Sequence, residues 1–281
     1  MHLFNKFRSI LVILSAALLL VFAVCPVQAG DKGEFYLVSI GVGDPDLITV
    51  RAINTIKKAD IIICRENTRQ DFAEYLEGKT FWKGAFREWR TYGDDCSRLT
   101  DKAEQAECRN DKKVRDALVK KIRAAIADGK TIAVLGYGDL LIYGGPYRWY
   151  LVELGDLNPM LIPGVSCLNA ANAALGTDIM GGKNTSSAIM THYMDLDKLG
   201  LSQANPTLVV FTMHTAFPDL VKKIREYYPD DTPIAIVFYA GYKNREHIVS
   251  GTLTTILKKT EGMDFPFQHL VYVGDFLKNR K

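Results

Sequence analysis

Five histidines are scattered through the 281 residues, and none stands in a His-Glu-x-x-His or related ligand spacing, so a zinc centre has no support and no metal is expected. His192 and His214 each close a strand-like segment, and Tyr239 closes another, with Tyr193 and Tyr242 nearby. A histidine or tyrosine at such a strand end can take a proton from a nucleophilic carbon or nitrogen. Each of these residues also reads as an ordinary loop side chain, and both readings stand. Cys64, Cys96, Cys108 and Cys167 form no Cys-x-x-Cys, which removes support for thioredoxin chemistry, covalent haem attachment and zinc knuckles. Cys96 and Cys108 flank a charged stretch that a disulfide could close in an oxidising compartment, whereas Cys64 and Cys167 read as packed thiols.

Glycines placed just after strands carry more chemical meaning, because open α/β sheets bind ligands at the carboxyl ends of their strands. Three loops qualify: Gly41-Val42-Gly43-Asp44-Pro45-Asp46, Gly136-Tyr137-Gly138-Asp139 running on to Gly144-Gly145, and Pro163-Gly164-Val165-Ser166-Cys167. Asp46 stands where a dinucleotide fingerprint requires its third glycine, so a nicotinamide-binding domain is disfavoured, and the lysine-bearing phosphate loop is absent. Any one loop could be a tight turn; all three in this order suggest a backbone-lined ligand site.

The elements that must position these loops alternate as a parallel α/β protein requires. Strands are expected at 35–40, 61–64, 131–135, 160–162, 187–192, 207–212, 234–239 and 270–273. Helices are expected at 49–59, 70–76, 114–128, 147–154, 168–175, 218–227 and 252–259. The polar region 65–111 shows little further periodicity and reads as an insertion or lid, in which Phe81, Trp82, Phe86, Trp89 and Tyr92 form a hydrophobic cluster or cap a planar ligand. Two α/β domains follow, at 34–158 and 160–281.

At the N-terminus, Lys6 and Arg8 precede an apolar run and then Val27-Gln28-Ala29, the pattern of a cleaved export signal over residues 1–29. An uncleaved anchor is the alternative, and it is the only reading in which a membrane is a partner. Either exports the body of the chain, with the periplasm as the expected destination. Loss of the segment leaves 33 basic residues against 32 acidic ones, a balance that gives no sign of a nucleic-acid partner.

Taken together, Gly41-Val42-Gly43-Asp44-Pro45-Asp46-Leu47-Ile48-Thr49, Gly138-Asp139 with Ile142-Tyr143-Gly144, Pro163-Gly164-Val165-Ser166 and Gly251-Thr252-Leu253 resemble the motifs of tetrapyrrole methylases. The resemblance covers nearly all of the chain beyond residue 34 except 65–111, and is nearest to the cobalt-precorrin-4 branch. It implies S-adenosylmethionine (SAM) held in a cleft between two α/β domains, a tetrapyrrole-like small-molecule substrate, and a homodimer. Carried over by position, the cofactor contacts would come from Gly138, Asp139, Ile142, Ser166, Cys167, Thr212 or Met213, Ala240 and Thr252, while His192, His214 and Tyr239 would be the candidates for catalysis. Tyr137, Leu140 and Gly145 depart from the family pattern and bear on the substrate more than on the cofactor. Two other functions stay open: methylation of a peptide or other macromolecule, and a non-catalytic exported ligand carrier, since SAM is made in the cytoplasm.

Overall fold

The first strand, β1 (Phe35–Ser39), is buried along its whole length and ends in the first glycine loop. It stands near the middle of a five-stranded sheet. This sheet also contains β2 (Ile61–Ile63), β3 (Thr80–Trp82), β4 (Ile132–Gly136) and β5 (Met160–Ile162) in the order β3-β2-β4-β1-β5, every pairing parallel. In this computed structural model the described residues are 32–86, 95–183, 185, 187–199, 206–212 and 216–280. The expected export signal at 1–29, together with Trp89, Tyr92, Met213 and His214, lies outside them.

Alternation along the strands builds two cores around the first sheet. Phe35, Leu37, Ile132 and Val134 face the helices α4 (Lys102–Ala127) and α5 (Gly145–Glu153), whereas Tyr36, Val38, Ala133 and Leu135 face α1 (Val50–Lys58). Thr49 caps α1 by accepting the amide of Ala52 at 3.1 Å.

The second sheet has the order β6-β7-β10-β8-β9, from β6 (Ala188–His192), β7 (Thr207–Phe211), β8 (Pro233–Phe238), β9 (His247–Thr252) and β10 (His269–Val273). Only β6 and β7 run parallel; β10 is antiparallel to both β7 and β8, and β9 is antiparallel to β8. One face packs on α7 (Phe217–Ile224) and α8 (Ile256–Lys259), the other on α6 (Cys167–Leu175). The two sheets belong to one compact unit, Gly33–Lys281.

Four sequence expectations change. Residues 160–162 do not open the second domain: as β5 they pair with β1, so the boundary falls after Ile162. The region 65–111 is no appendage, because it supplies α2 (Glu66–Asp71), α3 (Ala73–Leu76), the edge strand β3 and the start of α4. There Phe81, Trp82 and Phe86 pack into the cores of the first sheet. The helix expected from 114 begins twelve residues earlier, at Lys102, where Asp101 accepts the amide of Glu104 at 2.9 Å and the first turns are solvated. The helix expected over 252–259 keeps only its last turn, since its first residue ends β9.

Candidate active site

Chain order in the first sheet makes the site. From β1 the chain crosses to β2 on one side, and from β4 it crosses to β5 on the other, so the loops leaving β1 and β4 diverge at a topological switch point. They are tied where they part: the Gly138 amide donates to the Gly41 carbonyl at 2.7 Å. Beyond them lies a cleft of about 770 Å³, lined by residues of both sheets. That volume is within the range of roughly 300–1,000 Å³ typical of small-molecule sites.

The loop after β4 forms one wall. Gly138 has φ +70° and a Cβ there would meet open space, so the bare backbone faces the cleft. Asp139 Oδ1 accepts the Leu141 amide at 2.8 Å, and the buried Ser39 hydroxyl accepts the Leu140 amide at 3.1 Å. Tyr143 holds φ +55°, and its ring lies 4.4 Å from that of Phe211 at the end of β7. The glycines of the first loop do other work: a Cβ on Gly43 would stand 2.2 Å from the Gly241 carbonyl oxygen, so this pair lets the two lobes touch.

The third loop delivers the N-terminus of α6 to the cleft through Ser166 and Cys167. Ser166 is consumed by its cap: its oxygen accepts the Asn169 amide at 3.2 Å and its hydroxyl donates to Asn169 Oδ1 at 2.7 Å. Burial raises the Cys167 thiol above its ordinary value, and the nearby Asp139 carboxylate adds to that, so Cys167 is a neutral, compact wall.

The second sheet closes the opposite side. Phe211 ends β7 and Thr212 follows it, Val237 and Ala240 come from β8 and its loop, and Phe267, Gln268, His269 and Leu270 come from the approach to β10 and its start. Thr212 Oγ1 and His269 Nε2 are 2.8 Å apart. At the mouth, Tyr137 donates to Asp71, with Tyr242, Arg65, Asn67 and Arg245 around them. Burial first, and then that carboxylate, push the Tyr137 phenol far above its ordinary range, so it serves as a donor.

Of the sequence-derived cofactor set, Gly138, Asp139, Ile142, Ser166, Cys167, Thr212 and Ala240 all line this cleft. Thr252 does not. Because β9 runs antiparallel to β8, Thr252 pairs with Pro233 at the sheet's far end, where it bonds Thr255. Tyr239 also leaves the site: it packs on the helix-covered face under Arg245, whose guanidinium lies 3.8 Å from the ring centroid. Tyr193 packs on that same face. His192 stands one ring behind the cleft, its imidazole 6.2 Å from the ring of Tyr143.

The residues missed in the sequence have a common cause. Arg65, Asn67 and Asp71 follow β2, whose short strand is legible but whose polar sequel reads as insertion. Gln268 and His269 sit at the beginning of a strand; only an antiparallel β10 brings that end beside Thr212.

Comparison with known proteins places this architecture. A cobalt-precorrin-4 C(11)-methyltransferase from Methanocaldococcus jannaschii is 28% identical over 257 residues, covering 88% of this chain and 89% of that protein. A siroheme synthase from Pseudoalteromonas atlantica is 26% identical over 265 residues, but this chain spans only 52% of its length. The crystal structure of uroporphyrin-III C-methyltransferase from Thermus thermophilus complexed with S-adenyl homocysteine superposes with a TM-score of 0.61 at 18% identity, covering 88% of this chain and all of that one. The model of the tetrapyrrole (corrin/porphyrin) methylases matches residues 34–257, and with that span this chain belongs to the tetrapyrrole methylase family.

Proposed function

We propose that this protein is a SAM-dependent methyltransferase that methylates a tetrapyrrole, with the cleft between the sheets as its active site. The observation that carries the reading is the convergence of the three glycine-loop segments on one cavity, with seven cofactor-binding candidates in its walls. The relatives' names, which specify methylation of precorrin-4 and uroporphyrinogen-III, support the substrate class. The residues present suit the cofactor: bare backbone at Gly138, a carboxylate at Asp139, and apolar walls at Ile142 and Ala240.

When bound, SAM would supply an already activated methyl group, whose carbon bonds to the substrate nucleophile in line while the carbon–sulfur bond breaks and S-adenosylhomocysteine leaves. The chain's task is alignment and exclusion of water. Tyr143 and Phe211 form an apolar shelf at the cleft wall, and Arg65 and Arg245 at the mouth can pair with acidic groups of a macrocycle. His192 stands behind that shelf, its ring 6.2 Å from that of Tyr143, as a candidate for proton transfer.

Titration calorimetry with S-adenosylhomocysteine, followed by labelled-methyl transfer to tetrapyrroles and to peptides in parallel, tests the assignment. Saturable binding with label in the tetrapyrroles is expected. Label in peptides alone would move the substrate to macromolecules, and absence of binding at millimolar ligand would leave a ligand carrier.

The same reading includes export and a homodimer. Export is supported by the basic and apolar residues of the first 29 positions and by the Cys96–Cys108 disulfide, a bond at home in oxidising compartments. Fractionation of cells producing the full chain, with N-terminal sequencing, checks it. A dimer is supported by exposed Met160 and Leu161 on the edge strand β5 and Met190 on the edge strand β6, and sedimentation of the purified protein decides. Among the described residues no helix is long and apolar enough to cross a membrane.

A further inference from the structure

His269 is a buried imidazole that the methyl-transfer scheme does not use, and it forms part of two cavities. It lines the cleft, and it also lines a second hollow of about 530 Å³ on the outer side, bounded by Phe217, Leu257, Glu261, Asp264 and Phe265. A ring so placed can exchange a proton with solvent without passing through the cleft. Its two nitrogens have different partners. Nδ1 is 2.5 Å from the Pro266 carbonyl oxygen, and Nε2 is 2.8 Å from Thr212 Oγ1.

A carbonyl oxygen can only accept, so Nδ1 carries the hydrogen in the neutral ring. Nε2 is then the acceptor, and the Thr212 hydroxyl must donate to it. That leaves only oxygen lone pairs of Thr212 for a ligand in the cleft. When the ring gains a proton, both nitrogens donate, the Thr212 oxygen accepts from Nε2, and its own hydrogen turns free toward the cleft. One proton therefore inverts what Thr212 offers.

We propose that His269 is a positioning residue that sets the hydrogen-bond polarity of Thr212, which accepts from the ligand while His269 is neutral and donates to it once His269 is protonated. The inference rests on the reading of the cleft as a SAM site, because the adenine amine and the ammonium of that cofactor only donate, and an accepting Thr212 favours such a group. The ring is held for this purpose: Phe238 lies 5.7 Å away on one side and Phe265 makes an edge contact at 5.4 Å. Other ionisable groups surround the pair. Glu261 and Asp264 come from the segment after α8, Arg245 from the β8–β9 connection, His247 from the start of β9 across Phe238, and Asp44, Asp71, Asp139, Arg65 and Tyr242 from the cleft walls. His214 follows Thr212 by two residues and lies outside the described residues.

The test combines binding with a direct view of the ring. Calorimetric titration with S-adenosylhomocysteine is run at pH 8 and pH 5.5 on the full chain, and nitrogen NMR reads the His269 tautomer. Affinity is expected to fall by about 3- to 10-fold at the lower pH, the worth of one hydrogen bond. The fall should vanish in Thr212→Val and in His269→Gln and persist in Thr212→Ser, which keeps the hydroxyl. The neutral ring should carry its hydrogen on Nδ1. A flat wild-type profile overturns the proposal, as does a slope that survives in Thr212→Val, a slope lost in His214→Asn but kept in His269→Gln, or a neutral ring protonated on Nε2. If S-adenosylhomocysteine binds at neither pH, the cofactor reading fails, and the tautomer alone then decides the His269–Thr212 pairing, Nδ1–H upholding it and Nε2–H overturning it.

Discussion

At Asp139 a single carboxylate braces its loop and faces the cleft. Its Oδ1 accepts the Leu141 amide at 2.8 Å while the residue lines the cleft. Changing Asp139 to Ala removes a charge-assisted bond and loosens the loop, so calorimetry should show S-adenosylhomocysteine binding weakened by roughly 10-fold or more. Cys64 tests burial at the same scale. Burial, with Glu66 adding to it, raises its thiol from 9.0 to about 11. The folded state thus holds this proton more tightly than the unfolded state does, and the associated stability is complete below pH 9 and is lost as pH rises toward 11. Iodoacetamide should label native Cys64 slowly at pH 8, and the fall of the urea midpoint between pH 9 and 11 should be shallower in Cys64→Ala.

At the scale of elements, two devices hold segments that composition alone leaves loose. The Cys96–Cys108 disulfide fastens the turn at Cys96–Arg98 to the polar first half of α4, with Cys108 fully buried. It closes a short loop, so reduction, or Cys96→Ser with Cys108→Ser, should cost about 2–3 kcal/mol, measured by urea unfolding with and without reductant. Hydrogen exchange should then place the loss in the first turns of α4. The capping box at Ser166 is the second device. Ser166→Ala should cost about 1 kcal/mol and weaken ligand binding as well, because Ser166 and Cys167 at the start of α6 line the cleft.

For the whole molecule, the contact between lobes combines apolar packing, such as Tyr143 on Phe211, with a junction of two glycines and a short run of polar bonds. Gly43 and Gly241 both adopt positive φ. The Asp44 amide donates to the Gly241 carbonyl at 2.9 Å, and the Lys243 amide donates to Asp44 Oδ2 at 2.9 Å. A Cβ at Gly43 collides with that carbonyl and also strains the backbone, so Gly43→Ala should destabilise by about 2–4 kcal/mol in urea unfolding. Ligand affinity should fall with it, since the junction sets the spacing of the cleft walls. The exposed salt bridge from Lys243 to Asp46 should matter far less.

Much of this protein was legible in its residues because local rules act on contiguous segments. Fully apolar runs specified buried parallel strands such as β1 and β4, and glycines immediately after them marked the loops that line the cleft. The cofactor candidates came from the family resemblance carried over by position, and seven of them line the cleft. What sequence alone left open depends on contacts between distant segments. Strand direction in the second sheet, carried by long-range pairing rather than by composition, moved Thr252 away from the site and brought His269 into it. A positive φ at Tyr239 turned its side chain to the helix-covered face, so Ala240 and Tyr242 line the cleft instead. The polar run after β2 has no periodicity of its own, and it is the parallel pairing of β2 with β4 that delivers Arg65 and Asp71 to the mouth. The sequence by itself determined the fold class and the cofactor loops, since hydrophobic period and turn chemistry are local; tertiary structure decided which side chains share the cleft, since that is set by which strands pair and in which direction.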